Sequence, residues 1–160
     1  MTDATLISNV RVFTGSGRSE PCTVRIVDGV IAETAAAETS DNTIDGTGCT
    51  LLPGFIDSHV HLSGVVDLET AAQWGVTTML DMGAPSPELT ANLRVVTGAR
   101  DIRSDSSGAS AAGGIQATVL GFALNSIVAS PDDADGFVAQ RAANGGDYIK
   151  IIVEDPAVMR

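Results

Sequence analysis

The hydrophobic rhythm of this chain changes once, near Leu51, and that change limits the folds open to it. Beyond it, short β-rich runs alternate with stretches of helical character. Leu51 to Leu62 reads as a strand, Asp67 to Trp74 as a short helix ending at Gly75, and Val76 to Leu80 as a second strand. Pro87 to Gly98 follows as a helix. Ser86 is placed as its N-cap, where a hydroxyl can accept an orphan N–H, and Pro87 sits where its missing N–H costs nothing. Arg100 to Gly114 reads as a polar loop leading into a third strand over Ile115 to Gly121. Ser130-Pro131-Asp132-Asp133 opens another helix, Asn144-Gly145-Gly146 ends it, and Tyr148 to Val153 is the fourth strand. Strands separated in this way by helices predict an α/β architecture: a parallel sheet with right-handed crossovers. The first turn lacks a dinucleotide fingerprint, which weighs against a Rossmann fold.

Before Leu51 no helix-length apolar period occurs. Thr5 to Phe13 is β-rich, and Thr23 to Val27 alternates apolar and polar until Asp28-Gly29. That pair tolerates the positive φ of a tight hairpin turn, and Val30-Ile31-Ala32 returns as the partner strand. A polar stretch follows from Thr34 to Asn42. Two parts are expected: residues 1–50 as a small β unit, too slight to be stable alone, and residues 51–160 as the strand–helix repeat. The 160 residues fall short of the roughly 250 that a closed (β/α)8 barrel needs.

Charge narrows the partners. Twenty acidic against nine basic residues leave a net charge of −11, too few cations to neutralise a line of phosphates. Neither nucleic acid nor an anionic membrane surface is an expected partner. The most apolar interval, Val119 to Ala129, is broken by Gly121, Asn125 and Ser126 and is too short to span a bilayer. Met1-Thr2-Asp3 does not open a secretory signal, so the expected location is the cytoplasm. Cys22 and Cys49 have no CxxC partners, and the chain has no phosphate loop and no GxSxG elbow.

The chemistry gathers at two places. The only histidines, His59 and His61, are two apart on a strand, so both rings face one side and can close on a single cation. Asp57 shares that face and is well placed to support them. Lys150 is the only lysine among the nine basic residues and stands mid-strand between isoleucines. Those isoleucines should face covering helices, which turns Lys150 inward with Tyr148 and Ile152. An ammonium there is costly unless paired or neutralised. Carboxylation by carbon dioxide would convert it to an anionic oxygen ligand; an ion-paired lysine at the strand end is the plainer alternative.

The run Pro53-Gly54-Phe55-Ile56-Asp57-Ser58-His59-Val60-His61 resembles the first barrel strand of the amidohydrolase superfamily. Gly75-Val76-Thr77-Thr78 with Asp81-Met82-Gly83 resembles its second strand. Asp147-Tyr148-Ile149-Lys150-Ile151 resembles the fourth strand of its imidazolonepropionase-like and dipeptidase-like branch. The resemblance implies the first half of a (β/α)8 barrel, preceded by N-terminal strands of a small composite β-sandwich domain. It also implies metal ligation by His59, His61 and a carboxylated Lys150 bridging two divalent ions, zinc being the expected one. The family's remaining ligands, including the aspartate that serves as its catalytic proton acceptor, fall beyond residue 160. The implied reaction is hydrolysis of a C–N amide bond in a small-molecule or dipeptide-like substrate by metal-activated hydroxide. The 160-residue chain by itself is expected to be incomplete for that reaction. Two alternatives stand beside it: a non-catalytic half-barrel that binds or self-assembles, pairing with another copy or with the missing C-terminal half across its open edges, and an unrelated small α/β protein.

Overall fold

A computed structural model describes residues 4–33, 42–83, 86–96, 101–119 and 124–153. The chain divides into two compact units, residues 1–53 and 54–160.

The first unit is a sheet of β1 (Ala4–Val12), β2 (Cys22–Val27), β3 (Val30–Ala32) and β4 (Asn42–Asp45) in the order β3-β2-β1-β4, with β5 (Thr50–Leu51) also on β1. Strands β2 and β3 form the expected hairpin, and both turn residues take positive φ, 49° at Asp28 and 79° at Gly29. Leu6, Val10 and Val24 make the buried side of this unit. Strand β4 was not anticipated: Asn-Thr-Ile-Asp is polar and exposed throughout, and it owes its place to parallel pairing with β1. The polar stretch expected before it falls largely outside the described residues.

The second unit is built on parallel strands in the order β6-β7-β8. The strand expected over Leu51 to Leu62 is divided: Leu51 ends β5, and β6 runs Phe55–Val60 after Pro53, which cannot donate to a ladder. Helix α1 (Val65–Gln73) starts earlier than expected, because Asp67 Oδ2 reaches back to the N–H groups of Ser63 and Gly64 at 2.7 and 3.1 Å. Strand β7 (Val76–Asp81) follows. Helix α2 (Pro87–Arg94) opens as expected, Ser86 Oγ accepting from Leu89 N at 3.2 Å; its expected end, Gly98, lies outside the described residues.

The third strand corrects the sequence expectation. It is β8, Asp101–Ser104, inside the run that reads as a loop. Its alternate residues Ile102 and Ser104 are buried while Asp101 and Arg103 face water, so three polar residues of four hide a regular period-2 strand. The run expected to be that strand holds a one-turn helix, α3 (Ile115–Thr118), in which Thr118 Oγ1 donates to Gly114 O at 2.8 Å. Residues 120 and 121 of that run lie outside the described residues. Short strands β9 (Ser110–Ala111) and β10 (Ile127–Val128) pair in parallel. A 3-10 turn at Pro131–Asp133 leads into α4 (Ala134–Ala143), Asp133 Oδ2 accepting from Ser130 N at 2.9 Å as an acidic first-turn residue should. The fourth strand is reduced to one bridge, Ile151 with Ala109, supported by Asp147 N donating to Ser104 O and Ile152 N to Ala109 O.

Leu62, Leu68, Met79, Leu93 and Ile102 form the core between this sheet and helices α1 and α2. Gly54 is fixed by the close approach of β7: a Cβ there would lie 2.1 Å from Thr77 Cγ2. Gly54→Ala is therefore expected to force β6 and β7 apart and cost about 2 kcal/mol, the scale of overpacking, read as a lowered urea midpoint. Adding Thr77→Ala should recover only part of the loss, because the Thr77 Cβ itself would stand 2.7 Å from the new methyl.

Candidate metal centre

The site grows from the C-terminal ends of β6 and β7. His59 is on β6, and His61 follows its last residue. Their ring centres are 5.5 Å apart with planes inclined at 58°. Zinc–nitrogen bonds of about 2.0 Å would put two rings on one tetrahedral ion with their centres roughly 5 Å apart. The observed spacing suits a shared cation, and both residues are exposed to reach it.

His61 Nδ1 lies 3.3 Å from Gly83 O. A carbonyl oxygen only accepts, so this contact is a hydrogen bond in the tautomer with the hydrogen on Nδ1, which leaves Nε2 to face a metal. Orientation through the far nitrogen is the usual support for a ligating imidazole. Gly83 adopts φ 132°, open to glycine and strained for other residues, and this carries its carbonyl to the ring. One residue earlier, Met82 O accepts from Lys150 Nζ at 2.9 Å. Consecutive carbonyls at the end of β7 thus tie His61 and Lys150 to the same turn, although 89 positions separate them in the sequence (150 − 61).

The burial of the fourth-strand run alternates, with Tyr148, Lys150 and Ile152 half-buried and Ile149, Ile151 and Val153 exposed. Lys150 therefore turns inward with its expected companions. The three residues expected to bind metal divide into His59 and His61, side by side, and Lys150, which joins them through the Met82-Gly83 turn. Among the described residues, no group of three or more His, Cys, Asp or Glu side chains is arranged to hold a metal ion. Asp57 Oδ1 accepts from His59 N at 3.1 Å, on the strand that carries the histidine pair.

Two buried carboxylates were given no role by the sequence reading, although Asp81 belongs to its second-strand motif. Asp81 closes β7; its Oδ1 accepts from Leu62 N at 3.2 Å and its Oδ2 from Ser104 Oγ at 2.8 Å. Its carbonyl accepts from the Tyr148 hydroxyl at 2.6 Å, tying the fourth-strand run to the same strand end. Asp105, just beyond β8, is fully buried, and neither carboxylate oxygen has a hydrogen-bond partner among the described residues. Burial, and next the charge of Asp81, push its carboxyl up to about 6, against the opposing pull of Lys150 and His61. Burial likewise raises the Tyr148 hydroxyl. The run Ser104-Asp105-Ser106 carried no sequence signal, since it lies inside the run that reads as a polar loop.

A raised carboxyl makes the folded chain hold a proton that the unfolded chain, near 3.8, has already released. Stability is then greatest below pH 4 as far as Asp105 is concerned, and falls as pH rises toward 6, by at most about 1.4 kcal/mol per pH unit. Urea midpoints at pH 4, 5, 6 and 7 should show this fall in the wild type, and Asp105→Asn should flatten it.

No protein-family model matches the chain. Over 74 residues it is 40% identical to N-acetylglucosamine-6-phosphate deacetylase of Lysinibacillus sphaericus, a match covering 44% of this chain and 19% of that one. Over 99 residues it is 34% identical to the enamidase of Eubacterium barkeri, covering 51% of this chain and 26% of the relative. The chain thus spans about a fifth to a quarter of these curated relatives. Among solved structures, a Xaa-Pro dipeptidase with methionine bound in its active site superposes with a TM-score of 0.68 at 21% identity, over 92% of this chain and 46% of that one. The bottromycin amidohydrolase gives 0.68 at 24% identity, over 96% and 34%. At that identity the structures speak for the fold, a mixed α/β arrangement with a strand-rich N-terminal region.

Proposed function

We propose that this chain, which is similar to parts of a deacetylase, a dihydroorotase and a hydantoinase, belongs to the amidohydrolase superfamily and carries the first metal-binding strands of an enzyme that hydrolyses C–N amide bonds in small-molecule or dipeptide-like substrates. Those relatives are hydrolases acting on C–N bonds. Strands β6, β7, β8 and the Tyr148–Val153 run would be the first four of a (β/α)8 barrel, and residues 1–50 the opening strands of a composite β-sandwich. One observation supports the reading above the rest: His61 and Lys150, distant in sequence, are oriented by neighbouring carbonyls of one turn at the strands' C-terminal ends, where barrel enzymes keep their chemistry.

His59 and His61 would hold one divalent ion, and Lys150, once carboxylated, would bridge to a second. Bound zinc supplies Lewis-acid polarisation of a carbonyl and lowers the pKa of water toward 7. The chain's own part is to present two imidazoles on one face, to fix the His61 tautomer through Gly83 O, and to keep Lys150 at the same strand ends. No helix among the described residues is long and apolar enough to cross a membrane.

Assembly is a second reading, and one feature favours it. Ile151 and Val153 are 65% and 77% exposed on one face of the last strand run. Beside them lies an apolar groove of about 370 Å³ between that run and α4, lined in part by Phe137, Val138 and Ile149. A complementary half-barrel or a second copy would cover this apolar surface.

The test is metal content of the purified full chain with dipeptide hydrolysis measured alongside. Near-stoichiometric zinc that is lost in His59→Asn is the expected result, and zinc content unaffected by that substitution would overturn the metal-site reading. Zinc without hydrolysis favours the assembly reading, and mass in solution then shows whether copies pair.

A further inference from the structure

We propose that Tyr148 is a positioning residue for Lys150: its hydroxyl, anchored on the last residue of β7, fixes the stretch of chain that delivers the lysine to the Met82-Gly83 turn. The inference rests on the reading that Lys150 works at the metal site. It holds whether Nζ is an amine or part of a carbamate.

The run that carries Lys150 is thinly paired. Asp147 N donates to Ser104 O at 2.7 Å, and Ala109 N donates to Lys150 O at 2.8 Å. Between these two bonds, among the described residues, no backbone bond joins Tyr148 or Ile149 to residues 105–108. Pairing lapses just before the lysine, and a side chain bridges the lapse. The Tyr148 hydroxyl donates to Asp81 O at 2.6 Å, with Arg103 O 3.3 Å away. A phenol has one hydrogen to give, so the shorter contact is the bond, and β8 closes its other side. Two residues on, Lys150 Nζ donates to Met82 O at 2.9 Å. Successive inward residues of the run thus meet successive carbonyls at the end of β7. Such a match sets the register, because a slip of one residue would turn the lysine to the opposite face. The lysine stem passes Gly108, where a methyl would lie 3.5 Å from Lys150 Cδ and 3.3 Å from Ile152 Cδ1. The Met82 contact is open to a carbamate too: a neutral amine that adds carbon dioxide and releases one proton keeps an N–H on Nζ.

Arg94 is the rival anchor. Its guanidinium donates to Ile102 O at 3.2 Å, to Gly145 O at 2.9 Å and to the Asp147 carboxylate. Those bonds hold the start of the run and reach none of its inward residues.

The chain has one tyrosine and one lysine, which makes the test direct. The full chain, free of metal, is prepared with lysine carrying carbon-13 at Cε, so that Lys150 gives a single methylene signal by nuclear magnetic resonance. A side chain held on Met82 O presents its two Hε protons to different surroundings, and separate shifts are expected in the wild type. Tyr148→Phe removes the hydroxyl and keeps the ring. In a Tyr148→Phe chain that is folded by circular dichroism the two shifts should merge, whereas a residue that only fills space would leave them apart. Separate shifts in that variant, or merged shifts in the wild type, would overturn the proposal. If Tyr148→Phe does not fold in buffer, it is measured in trimethylamine oxide, which strengthens apolar burial. A variant unfolded even there overturns the proposal, since the hydroxyl would then support the whole unit and not the lysine in particular. None of these results bears on the His59–His61 reading, because no metal is present, and zinc binding that ignores His59→Asn would sink that reading without moving the Lys150 signal.

Discussion

Replacing His61 with asparagine should lower the chain's zinc affinity by more than about 100-fold, since partners one step removed from a metal are already worth about 10–100-fold. The loss is expected to exceed the removal of one donor. In the native arrangement the hydrogen on Nδ1 is given to Gly83 O, which leaves Nε2 as the donor and fixes the ring plane. His59 stands 5.5 Å away, ring centre to ring centre, and cannot chelate alone. Gly83→Val should produce a weaker version of the same defect. A side chain at φ 132° is strained, and its Cβ would stand 3.7 Å from the His61 ring. Competitive zinc titration against a chromogenic chelator separates the two effects. His61→Asn should abolish measurable binding while leaving the unfolding midpoint close to the wild type, because His61 is exposed. Gly83→Val should weaken both. Unchanged zinc affinity in His61→Asn would remove the pair from the metal site.

The features legible in the sequence were those in which one residue carries one local physical demand. Asp28-Gly29 announces a turn because both residues must tolerate positive φ, and both adopt it. Ser86 and Pro87 announce a helix start because four N–H groups there lack partners. His59-Val60-His61 announces a shared face because strand side chains alternate. The features that escaped are set by tertiary pairing. Asp101–Ser104 has one apolar residue, and its membership of the sheet depends on β7 alongside it and on Asp81 receiving Ser104 Oγ. Asp105 and Asp81 look like solvent-seeking aspartates among twenty acidic residues. Nothing local distinguishes a carboxylate that stays in water from one that the ends of three strands enclose. The Met82-Gly83 turn was visible as a motif, but its use as a double acceptor required His61 and Lys150 to arrive from 21 residues before Met82 (82 − 61) and 68 after it (150 − 82).

Asp81→Ala is the most damaging single change expected for the fold of the second unit. Asp81 has no exposed surface, and its two oxygens serve different elements: Leu62 N, which follows β6, and Ser104 Oγ on β8. Strand β7 lies between β6 and β8, so one side chain on the central strand locks the ends of both neighbours. Truncation leaves a backbone N–H and a hydroxyl without their acceptor. Hydrogen bonds to charged groups contribute about 1.5–3 kcal/mol each, which places the cost at about 3–4 kcal/mol when partial relaxation is allowed. Asp81→Asn keeps the shape and one acceptor oxygen. It can still accept from Leu62 N and donate to Ser104 Oγ, but as a neutral amide it holds Leu62 N more weakly and leaves the Ser104 hydroxyl hydrogen without its acceptor, so its loss should be about half as large. A further consequence separates this role from simple destabilisation. Leu62 immediately follows His61, so a weaker hold on its N–H loosens the segment that carries the second imidazole. Under conditions where the Asp81→Asn chain is still folded by circular dichroism, its zinc affinity should fall about tenfold, as for other outer supports of a ligating histidine. A fully folded Asp81→Asn chain that binds zinc like the wild type would show that the carboxylate holds the strands together without setting the geometry of the histidine pair.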